Sequence, residues 1–242
     1  MKLFIFVICF INIPVLWAQD LILPPKVDLL QYIDSDSPSV VATTRRARIW
    51  GWSADGKVAY SIEGPLNSET TFGIDFVIVD LHTNNVLFTV TLYPSRDDIW
   101  DEWSDGEVLF HRHRASLLDA MKTHGIVEQR TDFLPFPMRK NTIVFDANVI
   151  DFEYGEDEYY QLGSQVLRYS VSVTAGDNRY TKSIIHRSGW FFDAFVCGYF
   201  LSPFENRALI VIAGDLGQYL HGGVLYTLIG FHLEEGFHES KK

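Results

Sequence analysis

Cysteine is nearly missing from this chain, with two in 242 residues, at positions 9 and 197. That excludes the dense disulfide frameworks on which small secreted domains depend, so cohesion has to come from a hydrophobic core. Basic residues are scarce too, 20 Lys and Arg against 31 Asp and Glu. A formal charge of −11 argues against nucleic acid and anionic lipid as partners, since both need a basic surface. Beyond the first twenty residues no apolar run approaches the roughly 20 residues of a membrane span. A phosphate-cradling glycine loop, a zinc-protease His-Glu-x-x-His and a dinucleotide fingerprint are all absent. Gly51-Trp52-Ser53-Ala54-Asp55-Gly56 is one residue too long for a nucleophile elbow. No cofactor is expected.

The N-terminus carries the first positive signal. Lys2 precedes an apolar run from Leu3 to Leu16, and Ala18 supplies a small residue before Gln19. This pattern reads as a signal peptide over residues 1–18, cleaved after Ala18. The expected location is periplasmic or extracellular. Residues 19–242 remain, 224 in all, and losing Lys2 takes the formal charge from −11 to −12. That length can bury a sizeable core as a single domain. The 47% hydrophobic and 14% aromatic content is that of a folded chain. Cys9 falls inside the signal. Cys197, in the apolar run Ala194 to Leu201, is expected to be a buried, inert thiol.

After a mixed leader over residues 19–42, which can pack as an edge strand, the pattern is mainly β. Arg46 to Trp52 alternates, with Ala47 and Ile49 predicted on one face and Trp50 and Trp52 on the other. Asp55-Gly56 marks a hairpin turn into a strand over Lys57 to Glu63. Strands at Phe72 to Leu81 and Val86 to Tyr93 complete a first antiparallel meander over residues 46–93. An inserted α-helix is predicted from about 105 to 124, within a helical insert over 95–125. Ser104 and Glu107 fit a capping box, Phe110, Arg114, Leu117 or Leu118 and Met121 recur at helical spacing, and Gly125 stops it. A rival reading makes Val108 to His113 a short strand. Further meanders occupy 142–233, with strands at Thr142 to Phe152, Ser164 to Thr174, Arg179 to His186, Phe195 to Leu201, Ala208 to Ala213 and Val224 to Leu233.

Two turns echo one another. Ser53-Ala54-Asp55-Gly56-Lys57-Val58 and Ser202-Pro203-Phe204-Glu205-Asn206-Arg207-Ala208 each run from a serine through an acid and a turn former to a base and a fresh strand. Two copies do not by themselves make a repeat architecture.

The stretch Trp50-Gly51-Trp52-Ser53-Ala54-Asp55-Gly56-Lys57-Val58-Ala59-Tyr60, followed by Phe76-Val77-Ile78-Val79-Asp80-Leu81, resembles a β-propeller blade of TolB-like and WD-repeat-like proteins. The resemblance covers residues 49–93. The wider layout is similar to that of uncharacterised bacterial secreted proteins. These resemblances imply an exported, mainly β fold of consecutive antiparallel meanders, propeller-blade-like or packed as an irregular sandwich, and they carry over no catalytic residue. Ten predicted strands are too few for the four four-stranded blades of a closed propeller.

Several constellations were weighed for chemistry. His111 and His113 share a face only on a strand; on the preferred helix they point about 200° apart, so no metal site is assigned. Asp97, Asp98, Asp101, Glu102, Asp105 and Glu107 form one acidic run, and Asp146, Asp151, Glu153, Glu156, Asp157 and Glu158 another. Neither has calcium-loop spacing, and both read as solvated faces. His186 and Ser188 read as a turn. Trp100-Asp101-Glu102-Trp103 offers two rings flanked by acids, so Trp100, Asp101 and Trp103 are the candidate binding residues. The leading expectation is an exported, non-enzymatic protein that binds another protein or an envelope component. A carboxylate-dependent hydrolase of envelope glycan and a structural or folding-accessory envelope protein remain as alternatives.

Overall fold

The computed structural model of the protein describes residues 23–29, 46–65, 72–94, 106–156, 164–176, 179–191, 193–215 and 224–240. Residues 1–18, read from sequence as a signal peptide, the first acidic run before Glu107, and Trp100, Asp101 and Trp103 lie outside the described residues.

Among the described residues, three antiparallel sheets and one helix account for the regular structure. The first sheet, in order, is β1 (Val27–Asp28), β2 (Arg46–Trp52), β3 (Lys57–Pro65), β4 (Phe72–Asp80) and β5 (Asn85–Leu92). Helix α1 (Glu107–Thr123) follows it, and then β6 (Phe133–Leu134). The second sheet contains β7 (Met138–Lys140), β8 (Ile143–Glu156), β9 (Ser164–Ala175), β10 (Tyr180–Phe191) and, on its other edge, β14 (His238–Glu239). The third is built from β11 (Asp193–Leu201), β12 (Arg207–Asp215) and β13 (Val224–His232), with β6 beside β11. All ten predicted strands are present. The four additional ones, β1, β6, β7 and β14, are two or three residues long, too short to leave an alternation signal.

The sheets stack first on third on second, although the chain builds them first, second, third. Strand β12 shows why the third sheet lies in the middle. Its run Ala208–Ala213 is apolar at every position and fully buried, as a strand covered on both faces must be. Leu209, Val211 and Ala213 pack with Ala47, Ile49, Val58 and Leu81 of the first sheet. Ala208, Ile210 and Ile212 pack with Phe145, Val171 and Val173 of the second. Cys197 sits in the first of these cores. Burial pushes its thiol up to about 12, so it holds its proton at neutral pH. Native protein is therefore expected to resist iodoacetamide and to react fully once unfolded, as mass spectrometry would show.

The two tryptophans of β2 do not share a face as the alternation predicts. A β-bulge between Ile49 and Gly51 leaves Trp50 as an extra residue, which shifts the phase of the pleat by one. Trp52 joins Ala47 and Ile49 against the third sheet, while Trp50 alone turns to the other side. There it meets Phe110 of α1, with centroids 4.8 Å apart, and Phe76, at 5.7 Å.

Helix α1 covers that outer face with Leu109, Phe110, Leu117, Ala120 and Met121, the spacing of one helical stripe. It is a helix throughout, so the strand reading of Val108 to His113 does not hold, and His111 and His113 diverge. Gly125 ends it as predicted, in left-handed backbone at φ 69°. Ile126 N–H donates to Met121 O at 2.9 Å and Gly125 N–H to Lys122 O at 3.1 Å, the two bonds of a Schellman cap. Ser104, the hydroxyl of the predicted capping box, lies outside the described residues. The N-cap is Gly106 and no side chain caps it. Glu107 faces Lys26 and Arg48.

The echo between the two turns is structural. Ser53 N–H donates to Lys57 O and Ser202 N–H to Arg207 O, both at 2.9 Å. Leu81 N–H donates to Gly56 O and Leu233 N–H to Asn206 O, both at 2.8 Å. Gly56 thus corresponds to Asn206, Lys57 to Arg207 and Leu81 to Leu233. The first and third sheets share one three-strand plan, and their turns meet at one rim.

Candidate functional site

Two features stand apart from the core: the rim where turns of all three sheets converge, and the outer edge of β5.

At the rim, Arg207 is almost fully buried. Its guanidinium donates to Leu81 O at 3.3 Å, to His82 Nδ1 at 2.6 Å and to Glu205 Oε2 at 3.0 Å. Accepting at Nδ1 leaves His82 its proton on Nε2, 3.9 Å from Glu205 Oε2. Asn84 makes two bonds to the backbone of β13: its side-chain N donates to Gly230 O at 3.2 Å and its Oδ1 accepts from Gly230 N–H at 2.7 Å. Lys140 of the second sheet donates to Asn206, and Asn206 Nδ2 donates to Glu234 Oε1 at 2.7 Å. These bonds tie one sheet to the next. The cluster unites an imidazole, a carboxylate and a guanidinium, and its contacts hold one turn to another.

The same rim holds the C-terminal strap. His232 Nδ1 accepts from Glu234 N–H at 3.1 Å and from Glu235 N–H at 3.0 Å. Both bonds need the unprotonated nitrogen. Burial lowers the His232 pKa below 6.5; Glu235 opposes this, while Arg207 and Lys182 add to it and Glu234 opposes it. Lys182 is lowered for related reasons, first burial and then Arg207, with Glu235 opposing. Because the folded value of His232 is depressed, its contribution is present above pH 6.5 and is lost as pH falls through the folded value. The unfolding midpoint is therefore expected to drop between about pH 7 and 5 by a component that His232→Gln removes. Equal slopes for both proteins in thermal melts would refute this.

The β5 edge is a different kind of surface. The edge strands β1, β6, β7 and β14 each span two or three residues, so β8 and β10 run on past β7 and β14. Those stretches carry Asp146, Asp151, Glu153, Lys182 and Arg187, charges that discourage strand addition. The edge of β2 is covered by β1 and by the bridge from Trp52 to Val127. The nine-residue edge strand β13 carries the Asn84 amide on Gly230. Strand β5, Asn85-Val86-Leu87-Phe88-Thr89-Val90-Thr91-Leu92, pairs with β4 on one side and, among the described residues, with no strand on the other. It contains no charge and no proline, and Val86 is 58% and Leu87 38% exposed. Long, apolar, unprotected edges are templates for another strand. Phe88 and Val90 face the core under α1, which holds β5 rigidly on its sheet.

No protein family, no curated protein and no solved structure matches this chain.

The candidate residues Trp100, Asp101 and Trp103 fall in the segment joining β5 to α1, outside the described residues. The second acidic run lies largely on β8, where Asp146, Asp151 and Glu153 are exposed and Glu153 pairs with Arg168 at 2.5 Å. Among the described residues no three His, Cys, Asp or Glu side chains are grouped to hold a metal, and no helix is long and apolar enough to cross a membrane. Sequence reasoning missed the rim cluster and the buried pair of Arg48 and Glu63. The echoed turns pointed toward the rim, since each ends in a base. Arg48 had a signal as well, a charge set between Ala47 and Ile49 inside a strand that is apolar from there to Trp52.

Proposed function

We propose that this chain is an exported, non-enzymatic β-rich protein that binds another protein of the cell envelope, and that it does so by accepting an extended segment along the outer edge of β5. The uncharged edge, unpaired among the described residues, carries the reading: backbone N–H and C=O groups supply affinity in strand addition, and alternate side chains supply specificity. The acidic net charge fits a protein partner better than nucleic acid or anionic lipid. The N-terminal signal pattern supports export to the periplasm or beyond. Trp100, Asp101 and Trp103 leave the C-terminal end of this strand in sequence and are proposed as further contacts. Capture from the native envelope tests this, comparing wild type with Thr89→Lys and Trp103→Ala. A partner retained by wild type and lost with Thr89→Lys supports the reading. A partner retained equally by all three proteins overturns it.

A further inference from the structure

We propose that the strap over 234–240 is an acid-released latch: protonation of His232 frees it from the rim and uncovers Phe145 and the β10 edge beneath β14, while the three-sheet stack stays closed.

The strap is a distinct piece of structure with few anchors. It leaves β13 after His232, turns at Gly236 and returns along β10 as β14, with Tyr180 opposite Glu239 and Thr181 opposite His238. Gly236 has left-handed backbone at φ 78°, and a Cβ there would stand 3.3 Å from the Lys182 stem. The turn is therefore a glycine hinge. Phe237 packs on the core between the second and third sheets, its ring 6.0 Å from that of Phe145. Ser240 N–H donates to Arg179 O at 2.9 Å, and the Thr181 and Ser240 hydroxyls lie 2.6 Å apart. A two-residue strand and one ring bury little, which places the strap among segments that open locally. The core on both sides of β12 is built from other strands and does not need it.

His232 sets the direction of the strap. Its Nδ1 accepts both N–H groups with which the strap begins, those of Glu234 and Glu235. A proton on Nδ1 turns that acceptor into a donor facing two other donors.

The surrounding charges decide which way acid pushes. Arg207 is the cross-strand partner of His232 on β12, and it also bonds His82 Nδ1 and Glu205 Oε2. Lys182 of β10 donates to Glu235 O at 3.0 Å. Lys140 reaches the same turn through Asn206, which donates to Glu234 Oε1. Arg207 and Lys182 oppose a positive imidazole, whereas Glu235, with Oε1 3.8 Å from Nε2, and Glu234 favour it. Both carboxylates belong to the strap and are exposed, and so is His238. Burial is the largest influence, and it holds the closed-state value of His232 below 6.5. Lifting the strap relieves that burial, so the open state binds the proton more readily and acid favours opening.

Native-state hydrogen exchange on the whole chain, from about pH 7.5 to 5, tests the latch once rates are corrected for intrinsic exchange. Amides of Glu234, Glu235 and Ser240 are expected to lose protection by about tenfold per pH unit from 6.5 down to the closed-state value, and then to level off. Those of β12 should keep theirs. His232→Gln has no proton to gain in this range, so its strap, closed or open, is expected to be indifferent to pH. His82→Gln, altered on the far partner of Arg207, should keep the switch. Strap protection in the wild type that does not change with pH overturns the proposal. So does a pH dependence that survives His232→Gln or disappears with His82→Gln. Protection of β12 falling in step with the strap overturns it as well, because the event would then be global unfolding.

Discussion

Replacing Arg48 by Ala is expected to cost about 3–5 kcal/mol of folding free energy, the loss typical of breaking a buried ion pair from one side. Arg48 and Glu63 are 2% and 1% exposed. The Arg48 guanidinium donates through Nε to Glu63 Oε1, through Nη1 to Pro24 O at 2.6 Å, and faces Glu107 Oε1 at 3.5 Å. It also lies 5.4 Å from the Phe110 ring centroid. One side chain thus ties together β2, β3, the segment before β1 and the first turn of α1. Without it the Glu63 carboxylate stays buried and uncompensated. Burial already raises the Glu63 pKa, and Arg48 is the chief opposing influence; removing Arg48 raises it further. A carboxyl whose folded value exceeds its unfolded 4.5 is penalised above that folded value and relieved below it. The loss should therefore be greatest at neutral pH and shrink as acid protonates Glu63. Denaturant unfolding at two pH values reads both effects. The double variant Arg48→Met with Glu63→Leu should recover most of the stability, since an apolar pair needs no desolvation of charge. A loss unchanged by pH, or a double variant no better than the single one, would refute this account.

How far the fold was legible depends on the length of each signal. Strands of seven residues or more announce themselves by alternation or by an unbroken apolar run, and all ten were located. The stripe Phe110, Leu117 and Met121 marked α1, and Gly125 marked its end. What escaped was set by contacts distant in sequence. The order of stacking follows from which apolar faces match, and nothing in β12 alone says that its two faces meet different sheets. Glu107, read as a local cap, also reaches Arg48, 59 residues away. That β5 has no second partner among the described residues could not be read before the strand order was known. Its lack of charge was visible from the start, but an uncharged strand is equally the mark of a buried one.

Trp50 and Trp52 carry the sharpest consequence of a feature that alternation missed. Trp50→Ala and Trp52→Ala are each expected to cost about 3–5 kcal/mol, the usual loss for a large buried aromatic. The two losses should differ in kind. Trp50 is 2% exposed, packs edge-on against Phe110 and Phe76, and donates through Nε1 to Ser61 Oγ at 2.9 Å. Its loss opens a cavity under α1 and leaves the buried Ser61 hydroxyl without that donor, so α1 should loosen before the sheets do. Hydrogen exchange should show α1 amides losing protection while β12 keeps its own. Trp52 is fully buried between the first and third sheets and donates to Thr131 Oγ1 at 3.1 Å. Its loss strikes the joint on which the stack depends. Protection in β2, β3 and β12 should fall together, with α1 following only at global unfolding. If the bulge did not separate the two rings, both variants would give one exchange pattern. Two patterns would mean that a single inserted residue in β2 lets neighbouring tryptophans hold two different layers in place.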